Sequence, residues 1–358
     1  MIHLVRLDHR KTPGNTTRLT QVLWTALEDR EVVHVKDMTE FKAMAKEGTL
    51  KKILFAVHLP KNGYAPEWYE MIAYLMDNPG ILKGCVAAVV INGDGSIFTK
   101  SMGRRLIFAA NMAGATFPGR GLVEATGDLY NMNTVARING VDNMTAYIDS
   151  TQKLAKRLDE LNPRVIYVPD SDVLKVLAIH AGNKETSNSL MLLDMIKKEI
   201  ESKCEYNEIS VRNGEILDCR GCSFDECKHF GETGECFYGG LMVDQVYPAI
   251  LDCDVLLMVC PNYNDAVGAN ITAMFNRLTA LFYNNSFATK RFYGLIVSGY
   301  SGGEILAEQL IGALNCNKGF ILPPNFAMIE TANDPGSIKE VAGIKDRAKA
   351  FAHEILGK

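Results

Sequence analysis

The 358-residue sequence lacks the features that mark nucleic-acid-binding, membrane-spanning or exported proteins. Its 38 basic and 42 acidic side chains give a net charge of −4, so no basic excess favours a nucleic-acid partner. Apolar runs such as residues 85–91 are far shorter than the ~20 residues that cross a bilayer. The first residues read as a strand that carries Arg6, which is not the pattern of a signal peptide. We therefore expect a cytoplasmic protein with no membrane and no nucleic-acid partner.

Several catalytic signatures are also missing. No G-x-G-x-x-G opens a helix after a strand, so a dinucleotide would be a transient substrate and not a fixed cofactor. The sequence shows no Ser-His-Asp order and no helix motif of a metal-dependent hydrolase. It therefore gives no reason to invoke a general acid or base.

Cysteine is present in an unusual distribution. There are nine cysteines, and four of them lie between Cys219 and Cys236. A secreted disulfide framework does not usually look like this, and a cytosolic protein with one local thiolate site fits better. The other five lie on or near apolar runs, and we predict that they are small buried hydrophobes: Cys85, Cys204, Cys253, Cys260 and Cys316.

Strand-like and helix-like segments alternate along the chain, and the same order occurs twice. Nearly continuous apolar strands that are separated by amphipathic helices predict a parallel sheet covered on both faces. We predict strands at residues 2–7, 53–58 and 86–91 in the first half, and at 173–179, 254–260 and 292–298 in the second.

Similar loop sequences indicate that the two halves are copies of one unit. Residues 114–118 resemble 319–323, and residues 124–128 resemble 330–334. Two unrelated domains that share a pattern by chance would not be expected to match in both order and loops. We predict an α/β chain of two doubly wound domains, residues 1–162 and 172–358, in agreement with the length. An insert of the second copy, about residues 213–240, holds the cysteine cluster.

Three loops of the second copy follow predicted strands at the edge where open parallel sheets bind ligands. The first loop places short polar side chains at a helix N-terminus, where free N–H groups can bind a phosphate. Ordinary N-capping explains that loop about equally well. Its candidate residues are Asn183, Thr186, Ser187, Asn188 and Ser189.

The other two loops could border a flat ring system. The second follows residue 260 and offers backbone amides and one aromatic side chain, although a lone tyrosine would more often be loop packing. The third contains three glycines that allow a ligand to approach the backbone closely. Three such loops at one sheet edge are less easily explained as coincidence. The candidates are Pro261, Asn262, Tyr263 and Asn264 in the second loop, and Ser298, Gly299, Tyr300, Gly302 and Gly303 in the third.

Together with the cysteines, these loops resemble the flavodoxin-like NADPH-dependent FMN reductases, and most of all their iron–sulfur flavoprotein branch. The resemblance extends from residue 173 to about 335. In that family the first loop has the form Ser-x-Arg-x-x-Ser-Asn-Thr and binds the FMN phosphate. Residues 187–189 match its end, whereas Ala181 and Asn183 replace the usual Ser and Arg.

The resemblance also covers the two ring-side loops. The family's Pro-x-Tyr loop, which borders the isoalloxazine, matches residues 261–263, and its Gly-Gly loop matches residues 302–303. The helix that carries Asp-Arg in the family has Asn276 and Arg277 here. The resemblance implies two tandem flavodoxin-like domains, with FMN in the second and NADH or NADPH as its electron donor. A quinone, another small molecule or a protein would be the acceptor.

The four clustered cysteines leave three readings open. Their spacing is C-x2-C-x4-C-x8-C. The resemblance implies a [4Fe–4S] cluster, although the cysteines of the iron–sulfur flavoproteins are more closely spaced than those of this chain. Structural zinc needs the same four thiolates, and reduced cysteines without metal are the third reading. His229 could act as a substitute ligand, but we expect it to be an exposed loop residue. The candidate ligands are Cys219, Cys222, Cys227 and Cys236.

The first copy is predicted to bind no cofactor. Its loop at residues 9–17 keeps an Asn-Thr ending, but its third-strand loop at 58–64 lacks the Pro-x-Tyr spacing. Because reductases of this family commonly pair, it could serve as a pseudo-partner within one chain, and the chain could also form homo-oligomers. Two alternative functions remain: a non-catalytic flavin and iron–sulfur electron carrier or redox sensor, and a zinc-stabilised scaffold without flavin.

Overall fold

The computed structural model describes residues 1–7, 16–163, 173–212, 216–282 and 285–357. The backbone divides into two compact units. The first consists of residues 1–163 together with the short segment 322–325, and the second contains the other described residues from 173 onward. The segment between the two predicted domains, residues 163–171, lies mostly outside the described residues.

The first unit is a five-stranded parallel sheet in the order β2-β1-β3-β4-β5. Its strands are β1 Ile2–Val5, β2 Val32–Val35, β3 Lys52–Leu59, β4 Val86–Gly93 and β5 Leu122–Ala125. Its helices are α1 Thr16–Ala26, α2 Met38–Glu47, α3 Pro66–Asp77, α4 Thr99–Met112, α5 Asn133–Asn139 and α6 Asn143–Glu160.

The second unit repeats this sheet, with the order β10-β9-β8-β6-β7 and every neighbouring pair parallel. Its strands are β6 Lys175–His180, β7 Glu205–Ser210, β8 Val255–Pro261, β9 Arg291–Ser298 and β10 Ala327–Thr331. Its helices are α7 Asn188–Ile200, α8 Phe224–Glu232, α9 Tyr247–Asp252, α10 Ala269–Phe282, α11 Gly303–Leu310 and α12 Ile344–Leu356. Two π-helical turns cover residues 242–246 and 311–316.

Both sheets have the strand order 2-1-3-4-5 when counted along their own halves of the chain. This is the flavodoxin-like order, in which the second strand lies on one side of the first strand and the later strands lie on the other side. The predicted α/β fold with two doubly wound parallel sheets is confirmed. Central strands such as β4 and β9 are buried at every position, because helices cover both faces of a parallel sheet.

Two predictions about individual residues need correction. His229 is exposed as expected, but it lies in α8 and not in a loop, because Ser223 and Glu226 form a capping box that starts a helix there. Four of the five scattered cysteines are buried, whereas Cys316 is only partly buried. Among the helices of the described residues, none combines the length and apolarity that crossing a bilayer requires.

Candidate functional site

The three predicted ligand loops meet at one edge of the second sheet. They follow β6, β8 and β9, which are neighbours in the sheet and run in the same direction. The carboxyl ends of these strands therefore lie side by side, with the reversal of strand order at β6 and β8. This edge is the candidate functional site.

The loop after β6 is shaped by its own side chains. Ser187 caps α7 by accepting a hydrogen bond from the Leu190 amide at 3.3 Å, and Asn183 Oδ1 accepts one from the Glu185 amide at 3.2 Å. Thr186 is exposed. The first-turn amides of α7 remain at the sheet edge, where a helix N-terminus attracts an anion.

Asn188 braces this loop against the one that follows β10. Its amide nitrogen donates to the carbonyl oxygens of Ala332 at 3.1 Å and Asp334 at 2.9 Å, and its Oδ1 accepts from the Gly336 amide at 2.9 Å. With both ends of the amide used in this way, the side chain of Asn188 holds the loops in place. Any contact of this residue with a phosphate would come from its backbone.

Two buried polar atoms of the site have no hydrogen-bond partner among the described residues. Ser189 is 1% exposed and its hydroxyl is unpaired; the other atom is Oδ1 of Asn262, in the loop after β8. Because nearly all buried polar groups in proteins are hydrogen-bonded, two such atoms at one sheet edge fit a site that receives a polar ligand.

A cluster of charged side chains lies beside the loop after β6. This cluster was not predicted from the sequence. Glu208 on β7 lies 3.6 Å from Lys184 Nζ, 3.5 Å from Lys197 Nζ and 3.3 Å from His180 Nε2. The Tyr206 hydroxyl donates to Glu208 at 3.1 Å. When residues 187–189 are placed at the end of the family pattern, Lys184 stands at the arginine position and Gly182 at that of the first serine. The assignment of Asn183 and Ala181 to these positions is therefore wrong by one residue, and a correct count predicts Lys184 from the sequence.

Burial and charge act in opposite directions on the two buried groups of this cluster. Burial alone would raise the pKa of Glu208, but the hydrogen bond from Tyr206 and the positive Lys197 bring that pKa below its usual value. Burial lowers the pKa of His180 despite the neighbouring carboxylate. The cluster therefore keeps a charged Glu208 that is balanced mainly by lysines.

The loops after β8 and β9 are fastened to each other. Asn262 Nδ2 donates to the Ser301 carbonyl at 2.9 Å and to the Ser298 hydroxyl at 3.2 Å. Gly302 has a φ of +83°, and a Cβ there would collide with the Asp265 carboxylate. The glycine therefore meets a packing requirement between the two loops, which is a more specific role than open access for a ligand.

Exposed aromatic rings stand on both of these loops. Tyr263 is 59% exposed in the loop after β8, and Tyr300 is 81% exposed in the loop after β9. Asn264 and Asp265 have φ values of 53° and 57°, so a tight turn in the left-handed region follows Tyr263. Exposed rings on a fixed frame can flank a planar ligand.

The four clustered cysteines line one cavity of about 340 Å³. Aromatic side chains, among them Phe224, Phe230 and Phe237, form much of the remaining wall. Among the described residues, none of these four cysteines forms a disulfide bond. Among the described residues, no three His, Cys, Asp or Glu side chains are arranged to hold a metal ion. The four cysteines predicted as metal ligands all line this cavity: Cys219, Cys222, Cys227 and Cys236.

Helix α10 supports the cysteine segment. Arg277 is 3% exposed, and its guanidinium donates to the Gly239 carbonyl at 2.8 Å and to the Leu217 carbonyl at 3.4 Å, on both sides of the cysteines. Asn276 Nδ2 donates to Asp218 at 3.1 Å. The role of this residue pair could not be predicted from the sequence, because only folding brings it to the cysteine segment.

At the corresponding edge of the first unit, the side chain of Arg18 bonds to the ends of two strands. Arg18, near the start of α1, donates from Nε to Asn92 Oδ1 at 2.6 Å and from its Nη atoms to the carbonyls of Gly93, Thr126 and Gly127 at 2.8–3.1 Å. The guanidinium thus links α1 to the ends of β4 and β5. The loop at residues 9–17, which keeps the Asn-Thr ending, lies mostly outside the described residues.

The topology defines the second unit as a flavodoxin-like α/β domain. Residues 174–334 match the family model of the NADPH-dependent FMN reductases. The predicted resemblance to that family is thereby confirmed for the second half of the chain. Among curated proteins, no relative matches the chain.

Several solved structures are similar to about half of the chain. RosB with a bound formylriboflavin phosphate intermediate is 15% identical, over 52% of this chain and 77% of its own, with a TM-score of 0.41. An FMN-dependent NADH-azoreductase from Bacillus anthracis str. Ames Ancestor is 11% identical, over 51% and 100%, with a TM-score of 0.37. An NAD(P)H:quinone oxidoreductase from Methanothermobacter marburgensis is 16% identical, over 51% and 97%, with a TM-score of 0.39.

Proposed function

We propose that the second unit binds FMN and oxidises NADH or NADPH, passing the electrons to a quinone, another small molecule or a protein. One observation carries this proposal. The three loops predicted to hold the flavin follow neighbouring strands at the switch point, within the segment that matches the reductase family model.

The loop after β6 would hold the phosphate. The amides at the start of α7 and the hydroxyls of Thr186, Ser187 and Ser189 supply hydrogen-bond donors, and Lys184 supplies a positive charge. The unpaired Ser189 hydroxyl supports this assignment, since a phosphate oxygen would satisfy it. Asn183 and Asn188 keep the loop in shape.

The loops after β8 and β9 would hold the ring. Residues 261–264 and 298–303 form the frame that Asn262 fastens, and the exposed Tyr263 and Tyr300 would border the isoalloxazine. Bound FMN would supply both hydride and single-electron chemistry, and this chain would supply orientation and a polar frame.

We propose an iron–sulfur cluster, and not a zinc ion, for the cysteine cavity. Zinc requires four sulfurs at about 2.3 Å from one point, whereas each thiolate of a [4Fe–4S] cluster binds a different iron. All four thiols line one cavity of about 340 Å³, and their sequence resembles that of the iron–sulfur flavoproteins, which supports the second case. We propose that Cys219, Cys222, Cys227 and Cys236 hold such a cluster, which would supply one-electron chemistry.

The first unit is proposed to take no flavin. Arg18 already satisfies the carbonyl groups at the ends of β4 and β5, where a ligand of this fold would lie. This predicts one FMN for each chain. Two flavins for each chain would contradict it.

Anaerobic purification followed by an absorption spectrum, metal analysis and turnover tests the proposed function. We expect flavin bands, a broad brown shoulder, four irons for each chain, and oxidation of NADH or NADPH when a quinone is present. Flavin and iron without turnover would favour the alternative of an electron carrier or sensor. Zinc in place of iron would refute the cluster alone, and a colourless protein would refute the whole proposal.

A further inference from the structure

The first unit contains a cavity that the reductase function does not use. It has a volume of about 430 Å³ and lies between α1 and the strands β1 and β2. Leu4, Leu23 and Leu27 form its apolar inner wall, and each is at most 5% exposed. Trp24 lies at its rim and is 79% exposed. This volume is within the range of small-molecule sites in proteins.

The equivalent edge strand of the second unit carries an aromatic ring and a carboxylate, Tyr206 and Glu208. There the Tyr206 ring lies under Lys197, whose Nζ is 4.9 Å from the ring centroid. The Tyr206 hydroxyl donates to Glu208 at 3.1 Å, and Lys197 lies 3.5 Å from the same carboxylate. The second unit thus supplies an aromatic ring and a carboxylate from its own chain.

The strand registers show which residues of the two units correspond. Val32 takes the position of Tyr206, and His34 takes the position of Glu208. The first unit therefore lacks a ring where the second has one, and it lacks a carboxylate beside that ring. The matching pairs are Ile2–Val32 with Val176–Tyr206 and Leu4–His34 with Ala178–Glu208.

The charges around the cavity are separated along α1. Arg6 is buried at one end, where its Nη1 donates to Thr20 at 2.8 Å, and His34 lines the same end. Glu28 lines the other end, just beyond the last residue of α1. An anionic group entering the cavity would therefore be favoured at the Arg6 end.

We propose that this cavity binds a small aromatic carboxylate of the benzoate class. The ring of the ligand occupies the space that Tyr206 fills in the second unit, against the leucine wall. Its carboxylate lies toward Arg6 and His34, in the place that Glu208 takes in the second unit. The ligand thus provides the two groups that the first unit lacks at these positions.

Calorimetric titration of the full-length protein with sodium benzoate tests the proposal. We expect binding of one benzoate to each chain, and at least about tenfold weaker binding of benzamide, which has the same shape but no charge. The emission of Trp24 should change on titration, and Trp24→Phe should remove that signal while the heat of binding persists. Trp68 is fully buried and gives the constant background.

Two substitutions restore residues of the second unit and should abolish the site. Val32→Tyr fills the ring space, and His34→Glu places a carboxylate where that of the ligand would lie; each should weaken benzoate binding at least about tenfold. His34→Gln keeps an N–H donor at an exposed position and is the matched control, with affinity expected within about threefold. Turnover of NADH or NADPH should be unchanged in all three variants, which separates this proposal from the proposed function.

The proposal is wrong if no heat and no fluorescence change occur up to millimolar benzoate, or if benzamide binds as tightly. It is also wrong if benzoate binding survives both Val32→Tyr and His34→Glu, because the ligand would then lie elsewhere. A dimer that Val32→Tyr dissociates would assign the cavity to a second copy of the chain and would equally overturn it.

Discussion

Lys184→Met should weaken FMN binding while leaving riboflavin binding unchanged. Lys184 is the cation of the proposed phosphate loop, and its side chain is 77% exposed, 3.6 Å from Glu208. An exposed pair of this kind contributes about 0–1 kcal/mol, so its loss should hardly change the stability of the fold. A charge-assisted hydrogen bond to a phosphate contributes about 1.5–3 kcal/mol.

Since Lys184 must give up the Glu208 contact when it binds phosphate, the net loss of FMN affinity should be about 1–2 kcal/mol. This corresponds to a roughly 5- to 30-fold higher dissociation constant. Flavin fluorescence titration of the apoprotein with FMN and with riboflavin measures the effect. Lys198→Met is the matched control, because Lys198 is exposed ten residues after the start of α7.

Two outcomes would refute this reasoning. An equal loss of FMN and riboflavin affinity would mean that Lys184 acts through the shape of the loop and not through the phosphate. Unchanged FMN affinity would mean that the backbone amides and hydroxyls suffice without a cation.

Three further predictions concern other parts of the second unit. Arg277→Met should lower the free energy of unfolding in urea by about 1.5–3 kcal/mol, because a buried guanidinium holds both sides of the cysteine segment. The same substitution should lower the iron content for each chain. Unaltered iron content would show that Arg277 does not support the cysteine segment. Gly302→Ala should cost clearly more stability than Gly336→Ala and also weaken flavin binding. Both glycines have φ near +85°, but only at Gly302 would a Cβ meet another loop; equal costs would contradict that packing argument. The pKa of Glu208 is lowered in the folded protein, so its contribution to stability is fully present above the ordinary carboxyl pKa and is lost as the pH falls through the lower, folded-state pKa. Glu208→Gln should therefore flatten the acid limb of a stability–pH curve, and an unchanged limb would exclude Glu208 as its source.

The central strands could be predicted from the sequence, and the edge strands could not. Strands such as β4 are apolar throughout because both faces are covered, and this leaves a plain signal. The edge strand β7 has the sequence EYNEIS with only Ile209 buried, and β2 buries only Val35. Short edge strands with polar side chains resemble loops, since half of their surface faces water.

The candidate site was predictable in its loops but not in its supporting residues. Local sequence indicates where a loop follows a buried strand, so the three loops could be placed at one edge. Lys184, Arg277 and Arg18 act across the fold, on partners 24 to 109 positions away along the chain. No spacing rule links such pairs, and only the packed sheet brings them together.

The edge position of β7 has a consequence for how this fold can gain new parts. Forty-four residues connect β7 to β8, whereas sixteen connect the corresponding strands β2 and β3. Because the connection leaves from an outer strand, the extra length interrupts no ladder between neighbouring strands. The closure entropy of a chain segment also rises only slowly with its length. The cysteine segment is in this sense a module, which could be exchanged between domains of this topology while the sheet beneath it stays unchanged.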